Sequence, residues 1–451
     1  MQVPAAGGVA ASLTTTGGRN EVHAFPSFLP DQRHFFYLRA SENPGIYLGS
    51  VDVKPEQQTS KRVLSTSLMA VYAPSADAGM GRLPFIRDGG LLAERFDEKS
   101  LEPMGEPVPV AERVGSLFLS GAFSASSGVL TYRPGITALS LSRLTWFDRQ
   151  GKPLGEAGEP GVYFYTDLAL SPDGARLAAG RVDPKVAGQD VGIWLLDLPR
   201  GVSSRFTFDL HPDSTPVWSP DSNRVAFAAN RAGGNGIYAK ASNSAGKERT
   251  LIGATDDPKF PDDWSRDGSF LLYTQRDPRT GNNLRVLPLA SDGTPSGAAT
   301  PFANTEFREE QGRFSPDSRE ITYASDESGR SEVYVQPFPA PPNGGSKTRI
   351  SRDGGGQPRW RRDGKELFYL SRDGKLMAAE VTEEPVFKVS LPKPLFQIPV
   401  ARISHNEPEA AVHAFGWDVA PDGKRFLIDT AATPSEPLTV VLNWTAELKK
   451  E

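Results

Sequence analysis

At 451 residues the chain exceeds one ordinary domain unless it is a single large repeat array. Its 50 Lys+Arg against 55 Asp+Glu leave a net charge of −5, which excludes nucleic-acid binding through a general basic field. Cysteine is absent, so disulfides, thiolate nucleophiles and Cys-based zinc sites are excluded.

Hydrophobic residues at 38% supply a folded core, and 44 glycines with 39 prolines point to many turns. The first eight residues carry neither the basic stretch nor the apolar stretch of an export signal. No window approaches the roughly 20 continuous apolar residues of a membrane span, so none is expected. Residues 2–14 read as the end of a third strand and a fourth strand of a blade whose start lies elsewhere.

Next in chain order comes Phe28-Leu29-Pro30-Asp31-Gln32, the first copy of a recurring signature. Worn copies follow at Tyr72-Ala73-Pro74-Ser75 and from Phe123-Ser124 to Gly128. Six fuller copies end on Asp173, Asp221, Asp267, Asp317, Asp363 and Asp422, spaced 48, 46, 50, 46 and 59 apart. An apolar or aromatic residue (Leu170, Trp218, Trp264, Phe314, Trp360, Val419) leads into each of these six. Pro presets φ for the turn, Asp bonds the local backbone, and Gly takes the positive-φ place. Alternating strands such as Arg224–Ala228 and Glu320–Ala324 follow, then second strands such as Gly236–Lys240 and Glu332–Val335. Arg87-Asp88-Gly89 and Arg372-Asp373-Gly374 repeat one hairpin turn in the second and eighth copies. A helical period is confined to about residues 446–451.

Four short strands every fifty residues or so make one propeller blade. The expectation is therefore an all-β propeller of nine blades spanning 1–451, with turns near 30, 74, 127, 173, 221, 267, 317, 363 and 422. The last repeat supplies about three strands, so residues 2–14 would close the ring against Val440-Val441-Leu442. The alternative is six repeats from about 156–160 onward closing alone, with the first three forming half of another ring.

These Ser-Pro-Asp-Gly turns with aromatic lead-ins resemble the TolB-type, WD40-like propeller repeats of bacteria. Three stretches resemble, more specifically, the extracytoplasmic region of membrane-anchored Ser/Thr receptor kinases. They are Phe28–Asp31 with His34–Tyr37, then Gly45–Ser50, and Ser325–Arg330 with Glu332–Pro339. That resemblance implies a periplasmic location and a signalling partner. A kinase's Gly-rich loop, His-Arg-Asp and Asp-Phe-Gly are absent, so kinase activity does not carry over.

Chemistry-bearing patterns are few. The histidines, His23, His34, His211, His405 and His413, show no metal-ligand spacing, and no metal or cofactor is expected. No Gly-x-Ser-x-Gly elbow exists, and Gly344-Gly345-Ser346-Lys347-Thr348 reads as a hairpin, not a phosphate loop. Trp218, Trp264 and Trp360 recur at one blade position and read as inter-blade core.

A propeller gathers the segments leading into its first strands around one channel mouth. Tyr165, Asp167, Asp213, Thr215, Asp262, Asp263, Glu310, Gln311 and Gln357 are the candidate ligand-binding residues there. Binding of a small molecule, peptide or protein without turnover is expected. A TolB-like interaction scaffold is the first alternative. A propeller-type lyase or glycosidase is the second, and clustered channel carboxyls with raised pKa would favour it.

Overall fold

The computed structural model describes all residues except 1–2, 4–6, 8, 18–20, 42, 76, 118, 135–140, 183–190, 210–211, 232–233, 340–346, 383–386, 400–415, 433–436 and 449–451. Strands dominate. The one α-helical turn among the described residues is Trp444–Glu447, slightly before the expected place.

Eight of the nine signature turns fall between the first and second strands of a sheet, as the spacing predicts; in the worn copy at Tyr72–Ser75, Ala73 and Pro74 are the first strand itself and the turn follows them. In four of the eight the physics is the same. Ser171, Ser219, Ser265 and Ser315 each donate a hydroxyl proton to the turn aspartate two residues on, at 2.5–2.6 Å. The same oxygens accept the N–H that opens the next strand, at 2.8–2.9 Å. The last turn residue is left-handed: Gly174 and Gly268 have φ of 72° and 79°, Ser222 and Ser318 both 60°. The repeated Ser and Asp are thus consumed in holding the turn.

The chain divides into two compact units: Met1–Ser140 with Pro434–Glu451, and Leu141–Thr433. The second unit contains six antiparallel sheets. Five are continuous in sequence, with first strands Tyr163–Leu170, Asp213–Trp218, Lys259–Trp264, Glu309–Phe314 and Gly355–Trp360; we number these blades one to five. The sixth is composite. Trp417–Val419 and Arg425–Ala431 are its first two strands, and Ser142–Asp148 and Pro153–Glu156 complete it.

This arrangement corrects two expectations. The strands missing from the last repeat come from residues 142–156: Ser142–Asp148 pairs along Arg425–Ala431, which sets Phe147 with Phe426 on one face of the sheet and Leu144 with Leu427 on the other. Val440–Leu442 do not meet Leu13 or Thr14; they pair with Leu130 and its neighbours across Val129–Tyr132. Leu13 and Thr14 lie against the first sheet of their own unit, bonded to Gln58 and His23. A single nine-bladed ring closed by the N-terminus is therefore not formed.

Between successive blades of the second unit sit the cores. Trp218 packs with Phe206 and Ala178 of the blade before it, Trp264 with Val217 and Ile237, and Phe314 with Leu272 and Leu284. Trp218, Trp264 and Phe314 are 5–6% exposed, and Trp360 is half-buried against Val333 and Val335. Phe368 and Phe426 join blades five and six, and Leu427 and Leu168 join six and one. Every blade is covered on both faces, and the six sheets close into a six-bladed propeller.

The first unit holds the first copy of the repeat and the two worn ones. Two four-stranded sheets, from Val22–Phe28 to Arg62–Leu64 and from Ala73–Pro74 to Glu102–Ala111, pack Phe36, Leu38, Phe85 and Phe96 between them. A third sheet joins Phe123–Ala125, Val129–Tyr132 and Thr439–Leu442. Trp444 is buried against it and donates its indole N–H to the Ser126 carbonyl at 2.9 Å.

Candidate functional site

Six first strands run side by side around one axis, so equivalent positions of the repeat form rings. Four residues before each turn aspartate stand Ala169, Val217, Asp263, Arg313, Arg359 and Asp418, taken blade by blade. All six line one cavity of about 260 Å³. At its turn side the cavity is ringed by the residue just before each aspartate: Pro172, Pro220, Arg266, Pro316, Arg362 and Pro421.

The inner ring is divided. Asp263, Arg313, Arg359 and Asp418 are consecutive in blade order and make a charged arc. Ala169 and Val217 make an apolar arc, extended by Leu170 and Pro216. Arg359 donates from Nε to Asp418 Oδ1 at 3.0 Å and lies 5.8 Å from the centre of the Trp417 ring. Burial, and then the like charge of Arg313, hold the Arg359 guanidinium down to about 9, so it is still cationic at neutral pH.

Both aspartates also stitch neighbouring blades together. Phe314 N–H donates to Asp263 Oδ2 at 2.9 Å, and Leu170 N–H donates to Asp418 Oδ2 at 2.8 Å. Burial raises the Asp263 carboxyl above its ordinary range, opposed by the charge of Arg313. At the turn side, Arg266 reaches past blade four to donate to the Arg362 carbonyl at 2.8 Å. Arg362 in turn reaches past blade six to the Pro172 carbonyl. Both rim arginines are exposed. Two guanidinium groups thus bridge the turn-side opening.

Of the nine candidate ligand-binding residues, Asp262 and Asp263 are the ones that line this cavity among the described residues. Asp262 turns into its own blade, where Thr274 Oγ1 donates to Oδ2 at 2.6 Å, and burial pushes its carboxyl up to about 8. Glu310 accepts from Asn282 Nδ2 at 2.6 Å, and burial pushes it to about 7. Asp213 is buried and accepts from Arg231 NH1 at 2.8 Å; Arg231 is shared with Asp209 and Glu248. Thr215, Gln311 and Gln357 occupy one repeat position, a bulge at which the backbone is left-handed, with φ of 50°, 60° and 54°. The Gln311 carbonyl Oε1 accepts the Gln357 N–H at 2.7 Å, a third stitch between blades. For Tyr165 and Asp167 the structure places the backbone in a first strand, and their side chains lie outside the described residues. His211, His405, His413 and Gly344–Ser346 also lie outside them.

Most of the expected residues lie at the start of the first strands, whereas the cavity is lined by their ends, where Asp263 is joined by Arg313, Arg359 and Asp418, and by the turns, with Arg266 and Arg362. Two columns of the repeat hold these residues, one four positions before the turn aspartate and one immediately before it. Among the described residues no group of three or more His, Asp or Glu is arranged to hold a metal ion. None of their helices is long and apolar enough to cross a membrane.

No protein-family model matches the chain, and no curated protein matches it either. Among solved structures it is similar to a TolB from Agrobacterium tumefaciens at 18% identity, over 65% of this chain and 99% of that one, with a TM-score of 0.47. TolB from Acinetobacter baumannii is similar at 14% identity, over 74% and 82% of the two chains, with a TM-score of 0.40. A puromycin-hydrolysing peptidase of Mycobacterium tuberculosis is similar at 14%, over 84% of this chain and 54% of that one, with a TM-score of 0.38. The propeller stands on its own strand pairings, independent of these likenesses.

Proposed function

We propose that the six-bladed unit is a binding module that takes its ligand in the central channel and does not turn it over. One observation carries this reading. A single repeat position contributes Ala169, Val217, Asp263, Arg313, Arg359 and Asp418 to one cavity, and the mix of charged and apolar residues suits an asymmetric ligand better than a structural plug. The sequence resemblance to the extracytoplasmic region of receptor kinases supports placing the module outside the cytoplasm, as the sensing part of a signalling receptor. A TolB-like scaffold that binds another protein is the alternative within the same class.

The raised carboxyls of Asp262 and Glu310 favour a second reading, an acid–base enzyme of the lyase or glycosidase type. Each, however, is hydrogen-bonded inside the protein, to Thr274 and Asn282, in the manner of a buried structural acid.

The test is a thermal-shift screen of small metabolites and peptides on the whole chain, followed by Val217→Trp to fill the cavity. Asp263→Ala and Gln311→Ala would then separate the cavity from the strand-start side. A stabilising ligand should lose its effect in Val217→Trp. An unchanged shift would move the site out of the channel, and product formation that Asp262→Asn abolishes would replace binding with catalysis.

A further inference from the structure

The cavity's charge is uneven. Among the described residues its wall holds four guanidinium groups, Arg266, Arg313, Arg359 and Arg362, and three carboxyls, Asp262, Asp263 and Asp418. Asp262 is spent inside its own blade on Thr274. Asp263 and Asp418 each commit one oxygen to a neighbouring backbone N–H, and Asp418 commits its other to Arg359. Cationic groups therefore outnumber the acids that face the space. Asp263 and Asp418 offset the charge of Arg313 and Arg359, Arg266 and Arg362 carry the excess, and the five N–H donors of a guanidinium exceed what one carboxylate accepts.

The second observation is the division of the wall. Opposite the charged arc lie Ala169, Leu170, Val217, Pro172 and Pro220, which offer an apolar surface and no charge. A bare inorganic anion would leave that half unused. A ligand with an anionic head and a compact apolar body would meet both halves. Planar carboxylates also match the guanidinium fork.

We propose that the turn-side end of the channel is a carboxylate-binding site: Arg313 and Arg359 receive the carboxylate, and the arc of Ala169 and Val217 receives a small apolar body. This rests on the channel-binding reading above and specifies its ligand class. Arg266 and Arg362, whose present partners are backbone carbonyls at the rim, stand where an incoming anion passes first.

The experiment uses two probes that differ only in the head group, N-acetyl-L-leucine and N-acetyl-L-leucinamide, with inorganic phosphate as a third. Binding to the whole chain is followed by titration calorimetry at low ionic strength. The acid should bind at least about tenfold more tightly than the amide, because only the acid makes charge-assisted paired hydrogen bonds. Arg313→Gln should remove about tenfold of the acid's affinity and leave the amide's unchanged. Should Arg313→Gln unfold, Arg313→Lys keeps the charge, loses the fork, and should still weaken the acid several-fold.

Equal binding of acid and amide overturns the proposal. So does an acid affinity untouched in the arginine variants, no binding of the acid at millimolar concentration, or phosphate binding as tightly as the acid. These failures are distinct from failure of the channel itself. A neutral ligand from the screen that Val217→Trp excludes and Arg313→Gln does not affect would keep the channel and remove the carboxylate.

Discussion

The two units are built from the same fifty-residue repeat, yet they keep different parts of it. In the six-bladed unit four turns hold the Ser–Asp pair intact, and a fifth substitutes Arg361, which clasps Asp363 at 2.6 and 2.7 Å. In the other unit Asp31 alone bonds the N–H groups of Arg33 and His34, at 2.9 Å each. The turn after Phe123–Ala125 uses Ser126 with Val129. Turn geometry survives in both because the two strands must be joined, and several polar side chains can do that. The matching first strands vary within the smaller unit: Lys259–Trp264 runs six residues, whereas Val22–Phe28 runs seven and Ala73–Pro74 two.

The sharpest way to break this comparison is Trp264→Ala. It should destabilise the six-bladed unit by about 3–5 kcal/mol, as for other large-to-small core changes. Two units with separate cores should unfold in two denaturant transitions, with only one of them moved. A single transition, or movement of both, would show that the units are not energetically separate.

Asp262 gives the next largest effect, and its sign follows from burial. Its folded carboxyl is held at about 8, above its unfolded value, so the folded state binds the additional proton. Stability should be full below the ordinary carboxylate range and decline as pH rises towards 8, by up to about 1.4 kcal/mol for each pH unit. Asp262→Asn should flatten that part of the slope in denaturation midpoints taken from pH 4 to 8. An unchanged slope would mean the carboxyl is solvated.

Gly312, on the first strand of the fourth blade, has no room for a methyl group: an added Cβ would sit 2.4 Å from Leu272 Cδ2. Gly312→Ala should cost about 1–3 kcal/mol in the same transition as Trp264→Ala. The other unit has its own keystone in Gln58. Its amide nitrogen donates to the carbonyls of Ser50, Val53 and Leu13 at 2.7, 3.0 and 3.2 Å, and its oxygen accepts Ser50 N–H. Gln58→Ala should cost about 1–2 kcal/mol and shift the other transition.

The smallest effect belongs to Asp363, which the Arg361 guanidinium holds down to about 2. A lowered carboxyl contributes stability above its ordinary pKa of 3.8 and loses it as pH falls towards 2. Its side chain is 47% exposed, so solvent screening leaves about 1 kcal/mol or less. Asp363→Asn should remove that part of the acid sensitivity and change nothing at neutral pH beyond this amount.

The turns were legible in the sequence because Ser, Pro, Asp and Gly are each demanded by local bonding, wherever the turn sits. Trp218, Trp264 and Phe314 were legible as core because the same size is needed at the same place in each blade. The ring's composition was not. Closure depends on which distant strand covers Leu144 and Phe147, and nothing local to the last repeat names that partner. The cavity column escaped for the opposite reason. Its residues, Ala169, Val217, Asp263, Arg313, Arg359 and Asp418, change in size and charge around the ring, so they leave no single repeating signal even though they share one position. Asp213 and Glu310 looked like site residues because they are polar beside a channel, whereas their bonds to Arg231 and Asn282 are long-range and invisible in one dimension.

The composite sixth blade has a consequence for biosynthesis. The Arg143 carbonyl and the Thr430 hydroxyl that donates to it are 287 positions apart, and Ser126 and the Trp444 indole of the other unit are 318 apart. A ribosome therefore delivers the whole propeller before either unit can be finished. Until then Ser142–Asp148 has an unpaired edge and Leu130 lacks its last cover, a template for pairing with other nascent chains. The strands from Trp417 to Leu442 act as a latch for two structures at once. Chains interrupted before Thr439 would emerge with the ring able to shut and the other unit open, so the burden of premature termination should fall on the smaller unit and appear as aggregation.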